Sequence, residues 1–185
     1  YGEAMRAYKT ASLRILMESM DESELQSYLD TFSCSRDSDR EDFLHNKAMI
    51  FEKKNMARTY LAIMDERIAG YYTLSVRCLQ VPRDQDVSNS LSKKMNIDPD
   101  NNVAQSYLLG QLGRADYSYK GMGADLLEDA MDIIKQANKL VGCRVVRVDC
   151  LDELIPYYEQ HGFRYLCVTD PTEDKPPINQ MVQII

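Results

Sequence analysis

The chain has 185 residues, of which 44% are hydrophobic and 28% charged, and its formal net charge is −7. That length and composition suit a single domain over residues 1–185 that buries a core without metal or disulfide staples, and no apolar run is long enough to cross a bilayer. A nucleic-acid partner would have to meet a local basic patch against an unfavourable overall field.

Five cysteines, Cys34, Cys78, Cys143, Cys150 and Cys167, form no Cys-x-x-Cys pair and no zinc-finger spacing with the two histidines. They read as small apolar residues in a reducing compartment, with no metal site and no thiol nucleophile. Residues 1–6 lack the charged-then-apolar design of a secretory signal, so a cytoplasmic location and no membrane partner are expected.

Residues 23–32 place Leu25, Tyr28, Leu29 and Phe32 at helical spacing, with Asp21 or Ser23 as the cap. Asp37, Ser38 and Asp39 then cap one further helical stretch, with Phe43, Leu44, Ala48, Ile50 and Phe51 mostly on one face, ended by Lys53, Lys54 and Asn55. From Thr59 the period changes. Residues 59–64 and 68–76 are rich in β-formers and are separated by Asp65, Glu66 and Arg67, which predicts a hairpin. After Pro82 a polar segment runs to Gln105 with one helical turn around 91–95, long enough to be a lid or substrate loop. Strand character resumes over 107–112, and Leu126, Leu127, Ala130, Met131, Ile134, Ala137 and Val141 then describe a helix with one buried stripe that stops at Gly142. Residues 144–150 alternate as a strand, 153–160 read as a short helix and 162–168 as another strand. A loop over 170–177 precedes a last strand, 179–185. This succession predicts an α/β (α+β) fold: a mixed sheet with helices on its faces.

Two clusters carry the chemistry. Lys120, Gly121, Met122, Gly123 and Ala124 open the long helix, where unpaired N–H groups at the positive end of the helix dipole suit a pyrophosphate. Tyr158 on the next helix can serve as a proton donor, because a phenol with a pKa of about 10 is protonated at neutral pH. A dinucleotide fingerprint would need glycine or alanine at Leu126, and a Walker loop would need Gly-Lys followed by Ser or Thr; the sequence has neither.

In this order the residues resemble the GNAT acyltransferase superfamily from about Thr59 to the C-terminus. The resemblance rests on the strand Leu109-Gly110-Gln111-Leu112, on Gly121 and Gly123 in the phosphate loop, and on Tyr157, Tyr158, Gly162 and Phe163. Ser118 occupies the slot where that family usually has Gln or Arg, and Tyr119 stands where a glycine is common. The resemblance implies a central, largely antiparallel twisted sheet flanked by helices, acetyl-CoA as cosubstrate and no metal. It also implies cosubstrate binding by Leu112, Gly113, Arg114, Tyr119, Lys120, Gly121, Met122, Gly123 and Ala124, and protonation of the CoA thiolate by Tyr158. The strand over 107–114 would run beside a neighbour that splays away, leaving backbone groups for the pantetheine arm and the Leu112 N–H for the thioester carbonyl.

The first half adds a narrower likeness. Phe32-Ser33-Cys34, Asp42-Phe43-Leu44, Ala57-Arg58-Thr59-Tyr60-Leu61 and residues 68–74 resemble the GNAT branch of bacterial toxins that acetylate aminoacyl-tRNA, though Gln111 stands where that branch commonly places Arg. The leading expectation is an N-acetyltransferase acting on a primary amine of a small molecule or peptide by direct attack. The alternatives are toxin-like acetylation of aminoacyl-tRNA, with a tRNA and an antitoxin as partners against the acidic balance, and an acyl-CoA-binding module without turnover. A homodimer is compatible with the class. For the general base the sequence offers His45, His161, Glu66, Asp149 or a water chain.

Overall fold

The structure, a computed structural model, describes residues 6–169 and 177–185; the expected loop over 170–177 lies, but for its last residue, outside them. The strands are β1 (Lys9–Ser12), β2 (Arg58–Met64), β3 (Arg67–Gln80), β4 (Val103–Arg114), β5 (Val145–Cys150), β6 (Arg164–Val168) and β7 (Asn179–Ile184). The helices are α1 (Leu13–Ser19), α2 (Glu22–Leu29), α3 (Ser38–Asn46), α4 (Ala48–Lys53), α5 (Asn89–Met95), α6 (Met122–Leu140) and α7 (Ile155–Gln160). The sheet is seven-stranded in the order β1-β2-β3-β4-β5-β7-β6. Its β4–β5 pair is parallel, while β1–β2, β2–β3, β5–β7 and β6–β7 are antiparallel, so the expected mixed, largely antiparallel sheet is present.

By internal contacts the chain divides into two compact units: residues up to Ser75 with Gln111–Ile133, and Val76–Gly110 with Ile134–Ile185. In the first unit, α2 starts where Asp21 accepts hydrogen bonds from the Ser23 and Glu24 N–H groups, at 2.9 and 3.2 Å. Such a cap contributes about 1 kcal/mol. Leu25 and Leu29, one turn apart, are then fully buried. The single helix expected over the Phe43 to Phe51 stretch is two helices, because Lys47 leaves helical geometry at φ −124°. The break re-aims the chain so that Phe43, Leu44, Ala48 and Met49 all enter one core with Phe32, Leu61 and Tyr71. Strand β1 and helix α1 carry no apolar alternation or side-chain cap that would announce them.

The β2–β3 hairpin forms as expected. Asp65 and Glu66 take φ of +50° and +61°, as a type I′ turn requires, with Met64 opposite Arg67. The Tyr28 hydroxyl donates to the Glu66 carbonyl at 3.1 Å, which helps hold a conformation neither residue favours.

In the second unit, Leu79, Val81, Met95, Ala104, Val145, Leu166, Cys167 and Val182 form the core. The segment expected as a lid or substrate loop is part of it. The Val81 N–H donates to the Asn102 carbonyl at 3.0 Å and the Asn102 side chain returns a bond to the Val81 carbonyl at 2.7 Å, closing the base of the insert. Helix α5, capped by the Ser88 hydroxyl, drives Met95 into that core. Helix α6 buries Leu126, Leu127, Ala130, Met131 and Ile134 as expected, but Val141 lies beyond its end and is 71% exposed. There the chain turns toward β5, and the Val141 carbonyl accepts the Tyr107 hydroxyl at 2.7 Å.

Candidate active site

In the first unit the glycine loop follows a turn at Ala115, whose carbonyl accepts both the Ser118 N–H (3.1 Å) and the Ser118 hydroxyl (2.6 Å). Gly121 then adopts φ +97°, in the region that favours glycine, with open space around it. This delivers Met122, fully buried, as the first residue of α6. The Met122 N–H donates to the Tyr119 carbonyl and the Ala124 N–H to the Gly121 carbonyl. Among the described residues, the amides of Tyr119, Lys120, Gly121 and Gly123 have no hydrogen-bond partner, which leaves donors at the start of a 19-residue helix.

Tyr119 is folded back against the first turn of that helix, its hydroxyl donating to Asp125 at 2.6 Å. Burial, reinforced by the Asp125 carboxylate, pushes its phenol up to about 12. Lys120 is exposed, and the Arg114 guanidinium lies 3.4 Å from the Ser118 hydroxyl. Two cations therefore flank the loop, while the one carboxylate in the first turn is occupied by a hydroxyl.

The strand entering this loop is β4. Its parallel ladder with β5 runs from Ser106 opposite Val145 to Leu109 opposite Val148, and β4 continues beyond it to Arg114. In that continuation the Gln111 N–H donates to the Thr73 hydroxyl at 2.9 Å, and the Arg40 guanidinium donates to Gln111 Oε1 at 2.6 Å. Gly113 is tightly packed: a Cβ there would stand 3.2 Å from Arg40 Cβ and 3.3 Å from the Tyr71 ring. Two residues on, the Ala115 N–H pairs with the Ala69 carbonyl at 2.7 Å. Leu112 lies between these anchor points, half-buried.

Tyr158 belongs to the second unit. Helix α7 begins with Pro156 in its first turn, where a missing N–H costs nothing. It ends in a Schellman cap: the Phe163 N–H donates to the Tyr158 carbonyl at 3.1 Å and the Gly162 N–H to the Glu159 carbonyl at 3.1 Å. Gly162 supplies the left-handed φ of +86° that this cap needs. The Tyr158 side chain is buried, with the Phe163 ring edge-on at 5.7 Å and the Tyr157 ring at 5.3 Å.

Three of the four base side chains are engaged. His161 Nδ1 bonds the Tyr157 carbonyl at 2.7 Å, and His45 Nε2 bonds the Phe32 carbonyl at 2.8 Å. Arg147 grips Asp149 through two hydrogen bonds, and Glu66 sits in the hairpin turn. Among the described residues no group of His, Cys, Asp and Glu has a metal-binding arrangement. No helix of the described residues is long and apolar enough to cross a membrane. Sequence reasoning did not single out Arg40 or Thr73, because an arginine in a helix turn and a threonine in a strand carry no local sign of a contact 71 or 38 residues away.

No family model and no curated protein sequence matches the chain. Solved structures do. A tyrosine-to-phenylalanine mutant of KacT superposes with a TM-score of 0.71 at 21% identity, covering 97% of this chain and 95% of that one. AtaT complexed with acetyl-methionyl-tRNAfMet matches with a TM-score of 0.68 at 24% identity, over 93% of each chain. A tyrosine-to-phenylalanine mutant of the AtaT toxin, bound to acetyl-CoA and the C-terminus of the antitoxin AtaR, matches with a TM-score of 0.66 at 18% identity, over 97% of this chain and 94% of that one. The strand order and this likeness along nearly the whole chain agree: the protein has the GNAT fold, in the form seen in these toxin structures.

Proposed function

We propose that this chain transfers the acetyl group of acetyl-CoA to a primary amine by direct attack, with no covalent enzyme intermediate. The observation that carries the reading is the glycine loop, with free amides at the start of α6, in a chain sharing its fold with an acetyl-CoA-bound toxin. In this reading the amides of Tyr119, Lys120, Gly121 and Gly123 in the loop over 119–124, with the Lys120 and Arg114 side chains beside them, hold the pyrophosphate. The backbone of Leu112 and Gly113 pairs with the pantetheine arm, and the Leu112 N–H donates to the thioester oxygen as it becomes an oxyanion. The amine nitrogen bonds the carbonyl carbon and loses a proton to solvent; the C–S bond then breaks, and Tyr158 protonates the departing thiolate and is reprotonated from water. Two of the similar toxins were solved as tyrosine-to-phenylalanine mutants, which fits a tyrosine of special chemical weight.

Among acceptors, the amino group of an aminoacyl-tRNA is favoured by the likeness to AtaT, solved with acetyl-methionyl-tRNAfMet. A neutralising protein partner belongs to the same reading, since AtaT is bound to part of its antitoxin. The net charge of −7 requires the RNA-facing surface to be a local one. The test is to incubate the protein with labelled acetyl-CoA and a bacterial extract containing charged tRNA, then to separate RNA, protein and small molecules. Label in nuclease-sensitive RNA supports the aminoacyl-tRNA reading. Label confined to metabolites or peptides keeps the acetyltransferase and removes the tRNA. Tight acetyl-CoA binding with no transfer to any fraction leaves a binding module and overturns the catalytic reading.

A further inference from the structure

Arg40 is held at every point of its length. Its N–H is capped by Asp37 Oδ1 at 3.2 Å, its carbonyl accepts the Tyr71 hydroxyl at 2.6 Å, and its Nε lies 3.6 Å from Asp37 Oδ2. Tyr71, fully buried, is itself fixed between the rings of Phe32 and Phe43. A long cationic side chain ordinarily forfeits much of a contact's energy in lost rotamer freedom. Here the helix cap and the tyrosine have restricted it before it reaches β4.

What Arg40 then grips is one residue of β4. Its Nη1 donates to Gln111 Oε1 at 2.6 Å, while on the main chain of that residue the N–H is taken by the Thr73 hydroxyl at 2.9 Å. Gln111 is thus fixed through both side chain and backbone. Gly113, two residues on, passes so close to Arg40 Cβ and the Tyr71 ring that an added Cβ would stand 3.2 and 3.3 Å from them, tighter than ordinary contact. The residues on both sides of Leu112 are therefore contacted by α3 and β3, in the stretch where β4 has run past its ladder with β5.

We propose that Arg40 is a positioning residue for acetyl transfer: with Thr73 it fixes the backbone over 111–113 so that the Leu112 N–H is oriented before the thioester arrives. This rests on the function proposed above. A donor set in advance stabilises a developing oxyanion without reorganisation at the moment of reaction, and a displacement of about 1 Å can cost roughly 100-fold in rate. The hydroxyl of Thr73 and the guanidinium of Arg40 act on the same residue from different elements, so losing either should loosen the same peptide.

The test compares Arg40→Met, which keeps the aliphatic stem, with Gln111→Leu, which cuts the same bond from the strand side and leaves the α3 cap untouched. Each is measured for kcat with the acceptor that the labelling test identifies, for acetyl-CoA affinity by calorimetry, and for thermal midpoint. The expected result is a kcat lower by roughly 10- to 100-fold with an acetyl-CoA Kd within about twofold of the parent, since only the transition state uses the donor. The double variant should be no worse than the worse single variant, and Arg40→Lys and Thr73→Ser should each retain part of the rate. An unchanged kcat in Gln111→Leu overturns the proposal, as does a loss of kcat that follows the Kd or the thermal midpoint. Should Arg40→Met not fold, Gln111→Leu decides alone. A parent protein that transfers acetyl to nothing overturns the functional reading and this proposal together, whereas an active parent with indifferent variants overturns this proposal only.

Discussion

Phe163 holds Tyr158 twice: its N–H donates to the Tyr158 carbonyl at 3.1 Å, and its ring meets the Tyr158 ring edge-on at 5.7 Å. The spacing Tyr, three residues, Gly, Phe is therefore the geometry of a Schellman cap, with the tyrosine at the third position from the helix end, Gly162 in the left-handed turn and Phe163 folding back. In this motif the acid chemistry belongs to the tyrosine hydroxyl. The other residues of the motif set where that hydroxyl stands.

Tyr158→Phe keeps both the cap and the ring contact and removes the donor. Turnover should fall by roughly 100-fold or more, the usual contribution of a general acid, while acetyl-CoA affinity stays near the parent value. Steady-state thiol release together with calorimetric titration checks this, and equal loss of both would count against the donor role.

Gly162→Ala forces a side chain into φ +86° and brings its Cβ to 3.3 Å from the Gln183 side chain. Because the left-handed backbone alone costs an alanine about 1–2 kcal/mol, the midpoint of urea unfolding should drop by a corresponding amount. Gly121→Ala carries the same backbone cost at φ +97° with open space around it, so its stability loss should be no larger, and its effect should fall on acetyl-CoA affinity.

Gly70→Ala is the steric counterpart. A Cβ on Gly70 would meet Leu126 Cδ1 at 2.8 Å and the Gly113 carbonyl oxygen at 2.9 Å, and the second contact is backbone that cannot rotate away. Overpacking of this kind costs about 1–3 kcal/mol. Equilibrium unfolding in urea measures it, and a parent-like midpoint would show that β4 shifts freely at Gly113.

The tyrosines set the alkaline limit. Burial, reinforced by Asp125, raises the Tyr119 phenol to about 12, above its ordinary value of about 10. The folded state thus holds that proton more tightly than the unfolded one, and the associated stability, complete below about pH 10, is lost as pH rises toward 12. Tyr72, buried and hydrogen-bonded to Asp129 at 3.0 Å, is shifted in the same direction. Stability should fall through this window in the parent and fall less steeply in Tyr119→Phe. Parallel pH profiles of the two proteins would remove Tyr119 from the account.

Where a signal is local, the sequence by itself determined the outcome. Leu25 and Leu29 one turn apart after Asp21, β-formers on either side of Asp65 and Glu66, and two glycines ahead of an apolar stripe each follow from backbone propensity and burial of one face, so α2, the β2–β3 hairpin and the start of α6 were legible. The Tyr158, Gly162 and Phe163 spacing was legible through its resemblance to a GNAT motif, while the structure showed it to be a helix cap, with Gly162 ahead of the strand expected to begin there. Only the tertiary structure decided the rest. The break at Lys47 depends on a core shared by Phe43 and Met49, and the segment around Met95 is a packed element because residues as distant as Val182 cover it. Most of all, Arg40 and Thr73 converge on Gln111 across 71 and 38 residues of sequence. Hydrogen bonds and close packing act through space over a few ångströms, and no periodicity along the chain records which distant side chain will arrive.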